Sequence, residues 1–370
     1  MDESVVRIYK KEIVLAVAIL LAVVSSIWNP PSKAYLEYID FRVLGILFSL
    51  MLVMAGLQEN GVFHKLGRKL VERCTNTRKL GFVLVFLCFF SSMLLTNDVA
   101  LITFVPFAIL TLQMTGKEKL LIPIVTAQTI GANLGSMLTP MGNPQNLYLY
   151  GLSNMSFIDF LCLMLPYTLV AGFVLLLFVL VQKKENLLLN VEMDEEAKEQ
   201  ETGNKRQVII YFILFGVCIS SVLRIVEWYV VLGIVILFIL ILDWRILKKA
   251  DYCLLFTFIG FFVFIGNIGA ISSIHDMLLH VLNGKEILIA INASQIISNV
   301  PAAILLSGFT NNYEALIIGT NLGGLGTLIA SMASLISYKQ LVNVIPEHKG
   351  KYLLYFTAAN VIFLGILLMV

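Results

Sequence analysis

The sequence predicts an all-α polytopic membrane protein made of two inverted repeats, with about nine transmembrane helices and two re-entrant hairpins. Three observations predict it. Of 370 residues, 59% are hydrophobic and only 14% charged, and the mean hydropathy is +0.89; a soluble core cannot hide that much apolar surface. Apolar runs long enough to cross a bilayer follow one another along the chain, and a set of features in the first half returns in the same order in the second. The composition excludes a disordered chain and a nucleic-acid partner, and the five cysteines, widely spaced and without a CxxC pair, exclude a disulfide scaffold.

About 20 helical residues cross the hydrocarbon. Runs of that length lie at 13–28, 41–57, 119–150, 157–182, 207–226, 228–247, 252–271, 314–337 and 352–370. Arg7, Lys10 and Lys11 precede the first run as in a signal peptide, but no small-residue cleavage pattern follows it, so it reads as the first span. Two further apolar stretches, 80–112 and 287–309, are interrupted by polar clusters, Thr96-Asn97-Asp98 in one and Ser298-Asn299-Val300-Pro301 in the other. Each could be two crossings or a re-entrant hairpin, and the charges fit both; short legs and polar tips favour the hairpin, a geometry allowed at membrane depth where protein or a water-filled cavity covers the open backbone.

Basic residues orient the chain. With the N-terminus cytoplasmic and the C-terminus outside the plasma membrane, all 26 lysines and arginines except Lys33, Arg42, Arg224 and Lys285 fall on the cytoplasmic side. Residues 183–206, rich in lysine and glutamate, read as a charged cytoplasmic linker. It separates a first repeat, 1–182, with an inner hairpin at 80–112 and a broken helix at 119–150, from a second, 207–370, with an outer hairpin at 287–309 and a broken helix at 314–337.

The two repeats share their landmarks. Leu52-Val53-Met54-Ala55-Gly56, followed by an amphipathic stretch with His64, parallels Phe262-Val263-Phe264-Ile265-Gly266, followed by one with His275. A hairpin comes next in each, and then Gly131-Ala132-Asn133-Leu134-Gly135 parallels Gly319-Thr320-Asn321-Leu322-Gly323. Five crossings separate the equivalent starts near residues 13 and 228, so the halves face opposite ways.

A transporter needs polar groups at the midplane that replace a hydration shell, and broken helices supply them as open backbone N–H and C=O groups. In 136–146, Pro140, Gly142 and Pro144 break the helix; in 323–327, glycines do. The candidate substrate- and cation-binding residues are therefore Thr96, Asn97 and Asp98 at the first tip and Ser298 and Asn299 at the second. In and before the breaks they are Asn133, Thr139, Gly142, Asn143, Asn146, Asn321, Gly323, Gly324 and Thr327. Oxygens of Thr96, Asn97, Ser298 and Asn299 suit a hard cation such as sodium.

Asp98 is the one carboxylate of 24 that this map puts near the midplane, where an unpaired charge is costly and the default reading is an ion or proton site. No lysine or arginine falls in a tip or break, so an anionic substrate relies on helix dipoles, amides and a co-bound cation. The four histidines fall in loops or surface helices, which argues against a metal site. There is no HExxH, GxSxG, P-loop or potassium-filter sequence, so neither an enzyme nor a selective channel has positive support, and no cofactor is expected beyond the coupling ion, sodium or a proton.

At Thr96-Asn97-Asp98-Val99-Ala100, Gly131–Gly135, Thr139-Pro140-Met141-Gly142-Asn143-Pro144-Gln145-Asn146 and Ser298-Asn299-Val300-Pro301 the chain resembles the ion transporter superfamily. That group includes citrate transporters, divalent-anion:sodium symporters, arsenite permeases and some sodium/proton antiporters. The resemblance implies a hairpin entering from each side, a scaffold that forms a homodimer, and a transport domain that moves like an elevator. It also implies sodium and substrate carboxylate bound by a Ser-Asn-Thr sequence at each tip. Asn97, Asn299 and Ser298 match that sequence and Thr96 replaces a serine conservatively, whereas Asp98 and Val300 replace both threonines. The Asn-Asp pair is closer to the arsenite permeases. The expected function is secondary active transport of a small inorganic or organic anion, citrate-type or arsenite-type, driven by sodium or protons; a sodium/proton antiporter is the alternative.

Overall fold

A computed structural model describes residues 3–187 and 204–370, with side chains given except at 3–12, 272–275 and 278. The regular elements described are helices, the structure in which a chain in lipid satisfies its own backbone. The first half runs α1 (Glu3–Ser25), α2 (Ala34–Tyr38), α3 (Phe41–Glu59), α4 (Val62–Val71), α5 (Thr77–Ser91), α6 (Asn97–Met114), α7 (Leu121–Gly135), α8 (Pro144–Ser153) and α9 (Phe157–Val181). The second runs α10 (Lys205–Val222), α11 (Trp228–Asp243), α12 (Tyr252–Gly269), α13 (Ser272–Leu282), α14 (Glu286–Ile297), α15 (Asn299–Ser307), α16 (Tyr313–Leu322), α17 (Met332–Val344) and α18 (Lys349–Leu367). Eight helical segments among the described residues are long and apolar enough to cross a membrane.

The chain is therefore a multi-pass membrane protein, and it departs from the hydropathy map in three places. The first hairpin does not have two short legs: α5 has 15 residues, but α6 has 18 and meets the length of a span by itself. The second broken stretch continues to Val344, because the Tyr338-Lys339-Gln340 segment that ends the apolar run is still compatible with helix. The first break is not fully unwound. Two 3₁₀ turns, Ser136–Leu138 and Pro140–Gly142, fill it, with Thr139 and Asn143 extended between and after them. Of the linker, 188–203 lie outside the described residues; its entry is tied down where Lys117 meets Glu185 at 2.5 Å and Thr77 Oγ1 donates to Lys183 O at 2.7 Å.

Packing sorts the helices into two groups. In one, α1 lies along α12, and α3 along both α10 and α11. In the other, α5 and α6 pack on α7, α14 and α15 pack on α16, and α9 and α18 cover α7. The second group is cross-braced between the halves of the chain: α6 packs on α17 and α15 on α8, while α7 meets α17 and α16 meets α8. The two broken helices thus lie side by side with their breaks near each hairpin tip.

Close approach of backbones makes this possible. A Cβ on Gly135 would stand 2.0 Å from Phe89 O of α5, and one on Gly323 would stand 2.5 Å from Ser294 Oγ of α14. Glycine lets each broken helix press against the first leg of its own hairpin, as small residues do in membrane helix pairs.

Candidate functional site

Six helices, α3, α5, α9, α10, α12 and α16, begin with an ordinary side-chain cap. Asp40 accepts from Val43 N, Asn76 from Lys79 N, and Asn312 from Ala315 N, while Ser156 and Asp159 form a capping box at α9. Among the helices without a side-chain cap, four stand out. The residues before α6, α8, α15 and α17 are Thr96, Asn143, Ser298 and Ser331, all of cap-forming type, yet none caps its own helix with its side chain. These four N-termini converge on one cavity.

The cavity has a volume of about 50 Å³, and its polar wall is formed by Asn97, Asp98, Asn143, Asn299, Ser331 and Asp251. Asn97, Asn143, Asn299 and Ser331 are buried, at most 5% exposed, while Asp98 and Asp251 are half-buried. Gln145, Thr257 and Cys253 also line it, and among the described residues no lysine, arginine or histidine does. Each helix N-terminus carries about half a positive charge. Four of them supply about two charges, which the carboxylates of Asp98 and Asp251 balance when both are ionised. The result is a site of strong local polarity and small net charge, open to a small neutral acid or to an anion that enters with a cation.

Asparagines behind the wall fix its shape. Asn97 Nδ2 donates to Asn133 Oδ1 at 2.9 Å, Ser331 Oγ donates to the same oxygen at 3.0 Å, and Asn133 Nδ2 donates to Ser334 Oγ at 3.2 Å. In the other half, Asn321 Nδ2 donates to Asn146 Oδ1 at 2.6 Å. Each asparagine of the paired Gly-x-Asn-Leu-Gly sequences thus reaches the second half-helix of the opposite broken helix. At the second tip, Asn299 N donates to Ala330 O at 3.0 Å, and Ser298 holds φ at 74°, a strained conformation for a non-glycine residue.

Of the residues singled out from sequence, Asn97, Asp98, Asn143 and Asn299 line the cavity. Asn133, Asn146 and Asn321 brace it from behind. Thr96 and Ser298 stand at the tips as uncapping N-cap residues, and Ser298 faces an apolar groove with Ile13, Val17 and Leu335. Thr139 donates to Met93 O and ties the first break to the end of α5. Gly142 and Gly324 permit close contacts, to Ser136 O and to the Asn299 amide. Thr327 is exposed, donates its backbone N–H to Gln295 Oε1 at 2.9 Å, and stands apart from the cavity wall.

Sequence reasoning passed over Ser331, Gln145, Asp251, Thr257 and Cys253 of the lining. Ser331 holds in the second break the place of Asn143 in the first, since both lie ten residues after the equivalent Asn321 and Asn133; that count was available in the sequence. Gln145 lay between two residues that were chosen. Asp251 carried no local signal: it ends a charged turn at the start of α12, and only packing brings it to the wall, so Asp98 is not the sole carboxylate of the site.

The family model described as "Citrate transporter" matches residues 8–312. An uncharacterized transporter of Methanocaldococcus jannaschii is 30% identical over 326 residues, 88% of this chain and 87% of the relative. Inner membrane protein YbiR of Escherichia coli is 31% identical over 318 residues, 83% and 82% of the two chains. The silicon efflux transporter LSI3 of Oryza sativa subsp. japonica is 37% identical over 129 residues, 35% of this chain and 26% of the relative.

Proposed function

The chain belongs to the citrate transporter family, and on that premise we propose that the cavity between the hairpin tips is the substrate site of a secondary active transporter. In this reading it carries a small oxyanion or its protonated acid, coupled to sodium or protons, by alternating access. The observation that carries the reading is the convergence of four uncapped helix N-termini on one cavity that, among the described residues, has no basic side chain in its wall. Helix starts left uncapped by the preceding residue offer first-turn N–H groups to a ligand's oxygens, apart from Asp98 N–H, which donates to Asn97 Oδ1, and Asn299 N–H, which donates to Ala330 O.

Size and charge favour a compact substrate over a tricarboxylate. One water needs roughly 10–15 Å³ of such volume, so about 50 Å³ holds a few oxygen-sized groups. Two carboxylates on the wall repel a multiply charged anion unless protons or sodium accompany it. A relative named for silicon efflux is consistent with a small hydroxylated substrate.

Access follows from α12. Its first turns, from Asp251 to Thr257, line the cavity, and the next are closed by Phe258 and Phe262 packed on Tyr148, whose hydroxyl meets Ser307 Oγ at 2.8 Å. With the basic loops cytoplasmic, this is an inward-facing arrangement. The packing group of α5–α9 and α14–α18 is the moving body of an elevator, and that of α1–α3 and α10–α12 the scaffold, through which two copies associate. A sodium/proton antiporter is the second reading, favoured by the two carboxylates facing one cavity.

Purified protein in liposomes with a trapped pH dye tests this. Sodium, citrate, succinate, arsenite and silicic acid are added in turn. A pH response to one small oxyacid, abolished by Asn299→Ala, supports the reading; a response to sodium with no other solute supports the antiporter. Response to citrate or succinate alone contradicts the size argument. Silence throughout, followed by no accumulation of labelled oxyacid under a sodium gradient, rejects transport of these substrates.

A further inference from the structure

On the premise above that the cavity is the substrate site, we propose that Gln145 selects the protonation state of the ligand. Its carboxamide pairs with an O–H and a neighbouring oxygen of one bound acid, so the site takes a hydroxyl-bearing acid in preference to a fully ionised oxyanion.

The break in the first half puts this side chain at the wall. α8 starts at Pro144, which has no N–H to offer and holds the φ of a first helical residue, and Gln145 follows it. Gln145 lines the cavity and is 0% exposed. Among the described residues, neither its Oε1 nor its Nε2 has a hydrogen-bond partner.

Its neighbours are engaged. Asn143 Nδ2 donates to Ser136 Oγ at 2.6 Å. Asn146 Nδ2 donates to Ser136 O and to Thr139 O, both at 3.3 Å, and its Oδ1 accepts from Asn321 Nδ2 at 2.6 Å. Gln128, fully buried in α7, donates to Leu84 O at 3.1 Å and to Phe104 O at 3.3 Å. The fold thus bonds the amides that it uses as braces and leaves the one beside the cavity with both ends unpaired. A buried amide in that state is costly and marks a place where something else binds. Folding has already stripped it of water, so a ligand that pairs with it gains two hydrogen bonds with no further dehydration of the amide. Torsion about its two methylene groups carries the amide toward the cavity.

A primary carboxamide presents an acceptor beside two donors. An acid that keeps a proton presents the complement, an O–H next to an oxygen, and engages both ends. A fully ionised oxyanion presents acceptors alone: it satisfies Nε2 but sets its lone pairs against those of Oε1. A site built to hydrogen-bond an O–H rejects a ligand lacking one far more strongly than apolar contacts do.

Gln145→Met keeps the length of the side chain and removes both polar ends, and Gln145→Leu does so with a shorter chain. Each full-length variant is titrated calorimetrically in detergent at neutral pH with arsenious acid and silicic acid, which keep their hydroxyls there, and with nitrate, which has none. Asn299→Ala is titrated in parallel, and thermal unfolding is recorded for all. Wild type is expected to bind at least one hydroxylated acid about tenfold or more tightly than nitrate. Both Gln145 variants should lose about tenfold or more in affinity for that acid, with nitrate affinity unchanged. Their unfolding temperatures should stay level or rise, because an apolar side chain of similar shape relieves an unpaired amide. Wild-type affinity for the acid in both variants overturns the proposal, as does an equal loss toward acid and nitrate. A fall in unfolding temperature in both variants overturns it too, since that marks a structural residue, and so does a wild type that binds no hydroxylated acid or prefers nitrate. Asn299→Ala separates the two readings: if it loses the acid while the Gln145 variants keep it, the site stands and selection by Gln145 falls; if it also keeps the acid, the site itself is elsewhere.

Discussion

Replacing Asn133 with alanine removes three buried hydrogen bonds at once: those with Asn97 and Ser331 through Oδ1 and that with Ser334 through Nδ2. Asn133 is 4% exposed and Ser334 0%, while Asn97 and Ser331 meet water only at the small cavity, so little water replaces the lost partners. Interhelical hydrogen bonds in membrane proteins average about 0.6 kcal/mol, which makes the lower bound about 2 kcal/mol. Buried polar groups left unpaired cost about 1–3 kcal/mol each, and since the serine hydroxyls can rotate to helix carbonyls, an upper bound of about 4 kcal/mol follows. Asn321→Ala breaks only one bond between the halves of the chain, to Asn146, and should cost less, about 1–2 kcal/mol. Equilibrium unfolding of both variants in detergent checks the order. A double-mutant cycle of Asn97→Ala with Asn133→Ala isolates the tip contact, with an expected coupling of about 0.5–1.5 kcal/mol. Additivity within about 0.3 kcal/mol, or an Asn321 variant weaker than the Asn133 one, would refute the bracing role.

Gly135→Ala drives a methyl group to 2.0 Å from Phe89 O, a backbone atom that cannot step aside, and should abolish folded expression, whereas Gly216→Ala meets nothing within 4 Å and should be neutral; size-exclusion profiles separate the two. Asp98→Asn should leave unfolding temperature unchanged and abolish accumulation driven by sodium or protons; undiminished driven uptake sinks its coupling role. Asn97→Ala and Asn299→Ala should each weaken substrate affinity about tenfold or more, because a desolvated ligand group loses its partner. Labelled-substrate binding with unchanged affinity in both would move the site elsewhere.

Hydropathy alone exposed the class, the helices and the interruptions, because hydrocarbon imposes one rule on every span and a polar cluster or paired prolines inside a span stand out against it. The tips at Asn97 and Asn299 and the break at Asn143 were legible for that reason. The 18-residue length of α6 was not legible, because length in a hairpin leg has no local signature. Ser331 was legible only by carrying the spacing of one half onto the other, since a lone serine before a helix carries no distinctive chemistry.

The sequence by itself determined that this is a membrane transporter with two polar interruptions in each half, and family resemblance named the superfamily. Tertiary structure decided what those interruptions do. Packing brings four helix starts together and leaves their cap residues disengaged, and it turns Asn133 and Asn321 into braces between halves while placing Asn97, Asn143 and Asn299 at the wall. It also carries Asp251 from a cytoplasmic-looking turn to the side of Asp98's cavity. Electrostatic balance depends on distances in space between groups more than a hundred residues apart, and no pattern along the chain records those distances.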